Sequence, residues 1–147
     1  MHKILLFFLV IVLSSCFLFK DYKQMQFVFS KSGQTISIPV IVPKGYLKYE
    51  TKDTAGATLE IFRYSEGAIL YFAYLTDTTL ELQHIDTTIQ QPLAHRLGGW
   101  IYKWQDEKDF FYREIRRGNF RFGYEHVPRF FEAQFDEATN YASLQKQ

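Results

Sequence analysis

Residues 100–144 read WIYKWQDEKDFFYREIRRGNFRFGYEHVPRFFEAQFDEATNYASL, and this stretch decides the fold. Trp100 to Trp104 is a short aromatic strand, and the charged run Gln105 to Asp109 turns it. Phe110 to Arg117 is a second strand, closed by Gly118-Asn119, a pair that tolerates the positive φ a tight hairpin needs. Phe120 to Glu125 returns, with Phe120, Phe122 and Tyr124 at period two. The three strands predict an antiparallel meander. After Pro128 the period changes. Phe131, Phe135, Ala138 and Ala142 recur at spacings of four, three and four, which is one face of a helix. Proline suits the first turn of a helix because its missing N–H has no partner there. A helix over Pro128 to Leu144 is therefore expected, its phenylalanines buried against the sheet.

Upstream, strand signals dominate. Gln26 to Ser30 alternates, and Ser32-Gly33-Gln34 turns the chain. Thr35 to Val42 (TISIPVIV) puts Ile36, Ile38, Val40 and Val42 on one face, and Pro39 within it demands an edge position or a bulge. Pro43-Lys44-Gly45 is a turn, and Tyr46 to Thr51 and Thr58 to Tyr64 are strands. Ser65-Glu66-Gly67 is a hairpin loop. Ala68 to Leu75 (AILYFAYL) is almost wholly apolar, so it predicts a central strand covered on both faces. Thr76 to Gln91 follows neither period and reads as a loop with a short helix or irregular strand. Gly98-Gly99 break whatever precedes them. The fold class is α+β: a twisted antiparallel sheet with a C-terminal helix packed on one face.

The N-terminus is of another kind. Residues 1–16 are MHKILLFFLVIVLSSC. Lys3 precedes the apolar run Ile4 to Leu13, whose length fits the core of an export signal rather than a membrane span. Leu13-Ser14-Ser15-Cys16 resembles the lipobox of bacterial lipoprotein precursors: an aliphatic residue, two small residues and a cysteine. That resemblance implies diacylglycerol on the Cys16 thiol and cleavage after Ser15. The chain then divides into a signal peptide over 1–15, a lipidated tether over 16–25 and one domain over 26–147. The alternative is an uncleaved signal anchor, because Phe17-Leu18-Phe19 prolong the apolar stretch. That stretch still falls short of the roughly 20 residues a span needs, and two serines interrupt it.

Composition narrows the function. The 147 residues carry 17 basic and 16 acidic side chains, so no net field favours nucleic acid. Fifteen phenylalanines and ten tyrosines exclude a disordered chain. Cys16, the one cysteine, excludes an internal disulfide, and once acylated it cannot act as a nucleophile. His84 and Asp86 are two apart, spaced for a general base and its orienter on an alternating strand, and His95 could join them around a divalent metal. The spacing matches no zinc pattern, and solvated loop residues are the simpler reading, so neither a catalytic site, a metal site nor a cofactor is expected. Arg113, Arg116, Arg117 and Arg121 share one hairpin with Phe110, Tyr112, Phe120 and Phe122. With Glu107, Asp109, Glu114 and Glu125 nearby, they read as a solvated, salt-bridged sheet face, or as a contact for an anionic partner. Tyr64, Tyr71, Tyr74, Trp100, Tyr102 and Trp104 serve either the core or a binding platform.

The run Phe62-Arg63-Tyr64-Ser65-Glu66-Gly67-Ala68-Ile69-Leu70-Tyr71-Phe72 is similar to a tyrosine–acidic–glycine hairpin of small lipoproteins of Bacteroidota type. So are Phe111-Tyr112-Arg113-Glu114, Gly118-Asn119, Gly123-Tyr124 and Phe135-Asp136-Glu137-Ala138. The resemblance implies a domain closed by its last helix and transfers no catalytic residues. Pro43-Lys44-Gly45-Tyr46 and the closing helix also give a looser analogy of fold to the PsbP/Mog1-like sandwich. The expectation is a lipid-anchored protein of the cell envelope, on the outer membrane if there is one, with its domain outside the cytoplasm. It would act by binding, as an accessory module. The alternative is an immunity or inhibitor lipoprotein that neutralises an envelope-acting toxin. Its partners would be the membrane, through Cys16, and an envelope protein or toxin.

Overall fold

The computed structural model describes residues 21–146, so the expected leader and Cys16 lie outside the described residues. The first element is a hairpin. β1 (Tyr22–Lys31) pairs with β2 (Gln34–Pro43) antiparallel, from Tyr22↔Pro43 to Lys31↔Gln34. Ser32 and Gly33 both take positive φ, 52° and 77°, the turn whose twist matches its flanking strands. The hairpin is a sheet of two strands, so each has an open edge, and Pro39 is accommodated as the sequence required.

β1 begins four residues ahead of Gln26. Residues 22–25, expected to belong to a tether over 16–25, are therefore strand, with the Tyr22 ring buried and its hydroxyl donating to Glu137 Oε2 at 2.6 Å. Between Tyr22 and Phe27 no buried side chain occurs, so this part of the strand shows no apolar alternation. Pairing with β2 makes it a strand, and single-strand periodicity does not report pairing.

Seven further strands form one antiparallel sheet. They are β3 (Lys48–Asp53), β4 (Ala57–Arg63), β5 (Ile69–Leu75), β6 (Leu93–Ala94), β7 (Trp100–Gln105), β8 (Phe110–Arg117) and β9 (Phe120–Pro128). Their order is β3-β4-β5-β9-β8-β7-β6. The predicted β7–β8–β9 meander is present, and β9 returns to lie against β5, with Phe72 opposite Phe122.

β5 is covered on both faces. Leu70, Phe72 and Tyr74 join the main core with Phe27, Phe29, Ile38 and Val40 of the hairpin and Phe135, Ala138 and Ala142 of α1 (Glu132–Ser143). The hairpin and the helix thus share one face of the sheet. Tyr71, Ala73 and Leu75 point the other way, into a second cluster with Ala57, Ile61, Leu59, Ile69 and Leu82. Leu82 belongs to the connection 76–92, which has neither helix nor strand and lies across that face.

The helix differs from expectation at its start. Pro128 ends β9 in extended conformation (φ −61°, ψ 148°), opposite Phe110, and Arg129–Phe131 make a single 3₁₀ turn before α1 begins at Glu132. A residue without an N–H suits a strand end as well as a helix start. Phe131 is 41% exposed and Phe130 87%, so of the phenylalanines in this region only Phe135 is buried. The buried stripe of α1 is Phe135, Ala138, Thr139, Ala142 and Ser143.

Phe72 sits at the centre, fully buried, with ring centroids of Phe27, Phe62 and Phe122 at 6.4, 6.0 and 6.2 Å. Tilted and edge-on rings of this kind leave no room to collapse around a deletion. Phe72→Ala is expected to lower unfolding stability by about 3–5 kcal/mol, read as a lower urea midpoint. A loss under 1 kcal/mol would remove Phe72 from the core as described.

Candidate functional site

Strand geometry divides the four arginines of the β8–β9 hairpin. Successive side chains of a strand point to opposite faces, so Arg113 and Arg117 face the helix while Arg116, opposite Arg121, faces away from it. Arg113 is 6% exposed. It donates to the Asp136 carbonyl (3.0 Å) and Oδ1 (3.2 Å), to Thr139 Oγ1 (2.9 Å) and to Asn140 Oδ1 (2.8 Å). Asp136 also accepts from the Tyr124 hydroxyl (2.8 Å) and from Lys103 Nζ (2.6 Å). Arg117 donates to the Ser143 and Gln145 carbonyls at 2.6 and 3.0 Å, where the end of α1 is negative. These two arginines clamp the helix. Arg116 Nε donates to Glu114 Oε1 at 2.6 Å, and Arg121 donates to the Gly118 and Phe120 carbonyls at 2.7 and 2.9 Å. The single arginine surface expected for a partner, whether solvated or binding, is therefore not formed. Period two splits it, and Arg113 is closed to any partner.

The histidines are likewise separated. His95 is buried beside α1, with Nε2 3.0 Å from Ser143 Oγ and Nδ1 accepting from the Leu97 N–H at 3.1 Å. Burial first, then the charges of Arg117 and Arg113, holds its imidazole below the usual histidine range. His84 is exposed in the connection on the other face. Asp86 accepts from the Thr88 N–H (3.0 Å) and hydroxyl (2.6 Å), a local turn bond that lowers its carboxyl. Among the described residues no three His, Cys, Asp or Glu side chains gather as metal ligands.

The face away from the helix carries a different constellation. Glu114, fully buried in β8, accepts from the Tyr71 hydroxyl of β5 at 2.5 Å and from Arg116 at 2.6 Å. Tyr71 in turn accepts from Gln83 Nε2 at 2.8 Å. The same amide nitrogen reaches the Arg113 and Tyr124 carbonyls, both at 3.1 Å, beside the irregularity between Phe111 and Arg113 where β8 slips its register. Burial and the Glu114 charge push the Tyr71 hydroxyl well above the usual phenol range, which keeps it a proton donor. Gly123 makes room for this. A Cβ there would stand 2.3 Å from the Tyr71 hydroxyl and 2.6 Å from the Arg113 carbonyl.

Gln83 lines a groove under the 76–92 connection. Two hollows adjoin there, and Leu82 and Glu125 belong to both. One, of about 180 Å³, is lined by Leu59, Ile61, Arg63, Ile69 and Tyr71. The other, of about 290 Å³, is lined by Gln83, His84, Trp104 and Tyr112. Trp104 and Tyr112 stack nearly parallel, 5.5 Å between centroids and 10° between planes, as one flat wall. Glu125 stands between apolar and aromatic halves, half-buried, its carboxyl raised by burial first and then by Glu114, against the opposing charge of Arg63. Gln83 Oε1 is buried and accepts no hydrogen bond among the described residues. A flat aromatic wall, an apolar floor and the half-buried Glu125 carboxyl suit a ligand with a polar group on one side and an apolar face on the other. Of the six aromatics weighed from sequence, Trp104 and Tyr71 line this groove; Tyr112, Glu125 and Gln83 complete it.

Glu125 gives the site a pH signature. A carboxyl raised on folding contributes stability that is complete in acid and lost as pH rises through its folded value. Glu125→Gln should therefore raise the melting temperature above the parent's at pH 8 and by less at pH 5. A difference independent of pH would place Glu125 in solvent. Comparison with known protein families, with curated proteins and with solved structures finds no match, so the groove is read from its own geometry.

Proposed function

We propose that this chain is a lipid-anchored envelope protein whose domain acts by binding a ligand, with the groove under Leu82 as the binding site. One observation carries the reading: the only cysteine of 147 residues stands at position 16, directly after a charged start, a ten-residue apolar run and two serines. Chance placement of a lone cysteine would rarely satisfy all of these at once. Among the described residues no helix is long and apolar enough to cross a bilayer; in this reading a covalent lipid on Cys16 supplies membrane attachment. Two or three acyl chains hold stably where one holds marginally, since each buried methylene is worth about 0.8 kcal/mol.

The groove supports binding over chemistry. Its lining joins a half-buried carboxyl to a pair of stacked rings. Anchoring serves such a site by raising its local concentration towards ligands at the same membrane.

The test is metabolic labelling with a palmitate analogue in a bacterial host. The parent chain should take the label and fractionate with membranes, and Cys16→Ala should lose both. Unchanged labelling and fractionation in the variant would refute the anchor.

A further inference from the structure

We propose that the end of the domain carrying Phe130 and Phe131 docks onto the bilayer surface; this rests on acylation at Cys16. The chain enters the fold at this end. The Asp21 carbonyl accepts from the Lys44 N–H at 2.9 Å, and the Pro43 carbonyl accepts from the Tyr64 hydroxyl at 2.8 Å. A small cavity of about 140 Å³ is bordered jointly by Lys44, Tyr64, Pro128 and Phe131. The entry point, the β4–β5 turn and the β9–α1 turn therefore meet at one end of the sheet.

The tether is short. Five residue steps separate Cys16 from Asp21, and an extended chain spans at most about 3.6 Å per residue. An acylated Cys16 thus holds Asp21 within about 18 Å of the lipid headgroups. The far end of the ten-residue β1 lies roughly 30 Å further along the strand.

The end so held is the one with aromatic prongs. Phe130 is 87% exposed and Phe131 41%, with rings edge-on at 5.1 Å, and Leu47 in the neighbouring β2–β3 connection is 76% exposed. Apolar side chains left in water on a turn lose nothing structural by moving into another apolar medium. These three offer roughly 400 Å² in all, short of the ~800 Å² per partner that a stable protein interface buries. A bilayer needs no such area, because the tether makes the contact intramolecular and a short linker supplies an effective concentration in the millimolar range. Leu93, Leu97 and Trp100 are also exposed, but they flank the β6–β7 turn at the opposite end, where His95 meets Ser143 near the end of α1.

The test uses the full chain, expressed with its leader and reconstituted in phosphatidylethanolamine/phosphatidylglycerol vesicles that contain nitroxide-labelled lipid. Phe130→Cys and, as the distant control, Gln34→Cys are each labelled with an environment-sensitive maleimide. A thioether-linked Cys16 does not react, and both substituted positions are exposed, so folding is retained. The probe at position 130 should emit further to the blue and be quenched several-fold more by headgroup nitroxide than the probe at position 34. Equal quenching at the two positions, in protein that takes the palmitate label, overturns the docking and leaves the anchor standing. A parent chain that takes maleimide and no palmitate refutes the anchor and the docking with it.

Discussion

One amide fastens the loop cover of this molecule to its sheet. β5 is apolar on both faces, so the sheet needs a second cover besides the hairpin and the helix, and the chain supplies it with residues 76–92, a segment that has no ladder of its own. A connection without regular structure must satisfy its polar groups piecemeal, and Gln83 does this at the place where the sheet itself is short of partners. The slip between Phe111 and Arg113 frees the carbonyls of Arg113 and Tyr124, and Gln83 Nε2 reaches both while donating to Tyr71. Two carbonyl acceptors fix which end of the amide faces the sheet, so Oε1 must face elsewhere, and it is left without a donor. The staple that secures the loop thereby leaves one buried acceptor beside the groove unfilled.

β8 is the strut through which both covers are fastened. Along one strand Arg113, Ile115 and Arg117 face the helix side while Glu114 and Arg116 face the loop side. The helix is held by guanidinium groups on Asp136 and on its last carbonyls; the loop is held through Glu114, Tyr71 and Gln83. A fully buried carboxylate is costly unless its acceptors are filled, and here Tyr71 and Arg116 fill one oxygen each. Removing either partner would leave a charge stranded under the loop, so this network fixes one arrangement of the sheet as much as it adds stability.

What was legible in the sequence was local. The meander, the apolar centre of β5, the Ser32-Gly33 turn and the edge position of Pro39 each follow from period two or from one residue's backbone chemistry, and each is present. What was hidden depends on pairing or on faces. Tyr22 to Gln26 is a strand because β2 lies beside it. The placement of β9 between β5 and β8 joins segments far apart in the chain. Pro128 fits a strand end as readily as a helix start, and β9 claims it. The four arginines look like one cluster when read along the chain and become two pairs once alternation is applied to the register. Gln83 had no signal at all: a lone amide in an aperiodic stretch differs from a solvated one only through the carbonyls a distant irregularity exposes to it.

The same geometry places the groove towards the end of the sheet where the chain enters the fold. Glu125 pairs with Ile69 at the start of β5, next to the turn Ser65–Gly67 that borders the entry of the chain, and Trp104 and Tyr112 lie beside the β7–β8 turn at that end too. In a lipid-anchored protein the groove therefore opens in the half of the sheet nearest the bilayer, and ligands held at the membrane surface meet it at a far higher effective concentration than ligands in bulk. Such a site can function with modest intrinsic affinity, because the tether supplies the encounter that a free protein would have to obtain by tight binding.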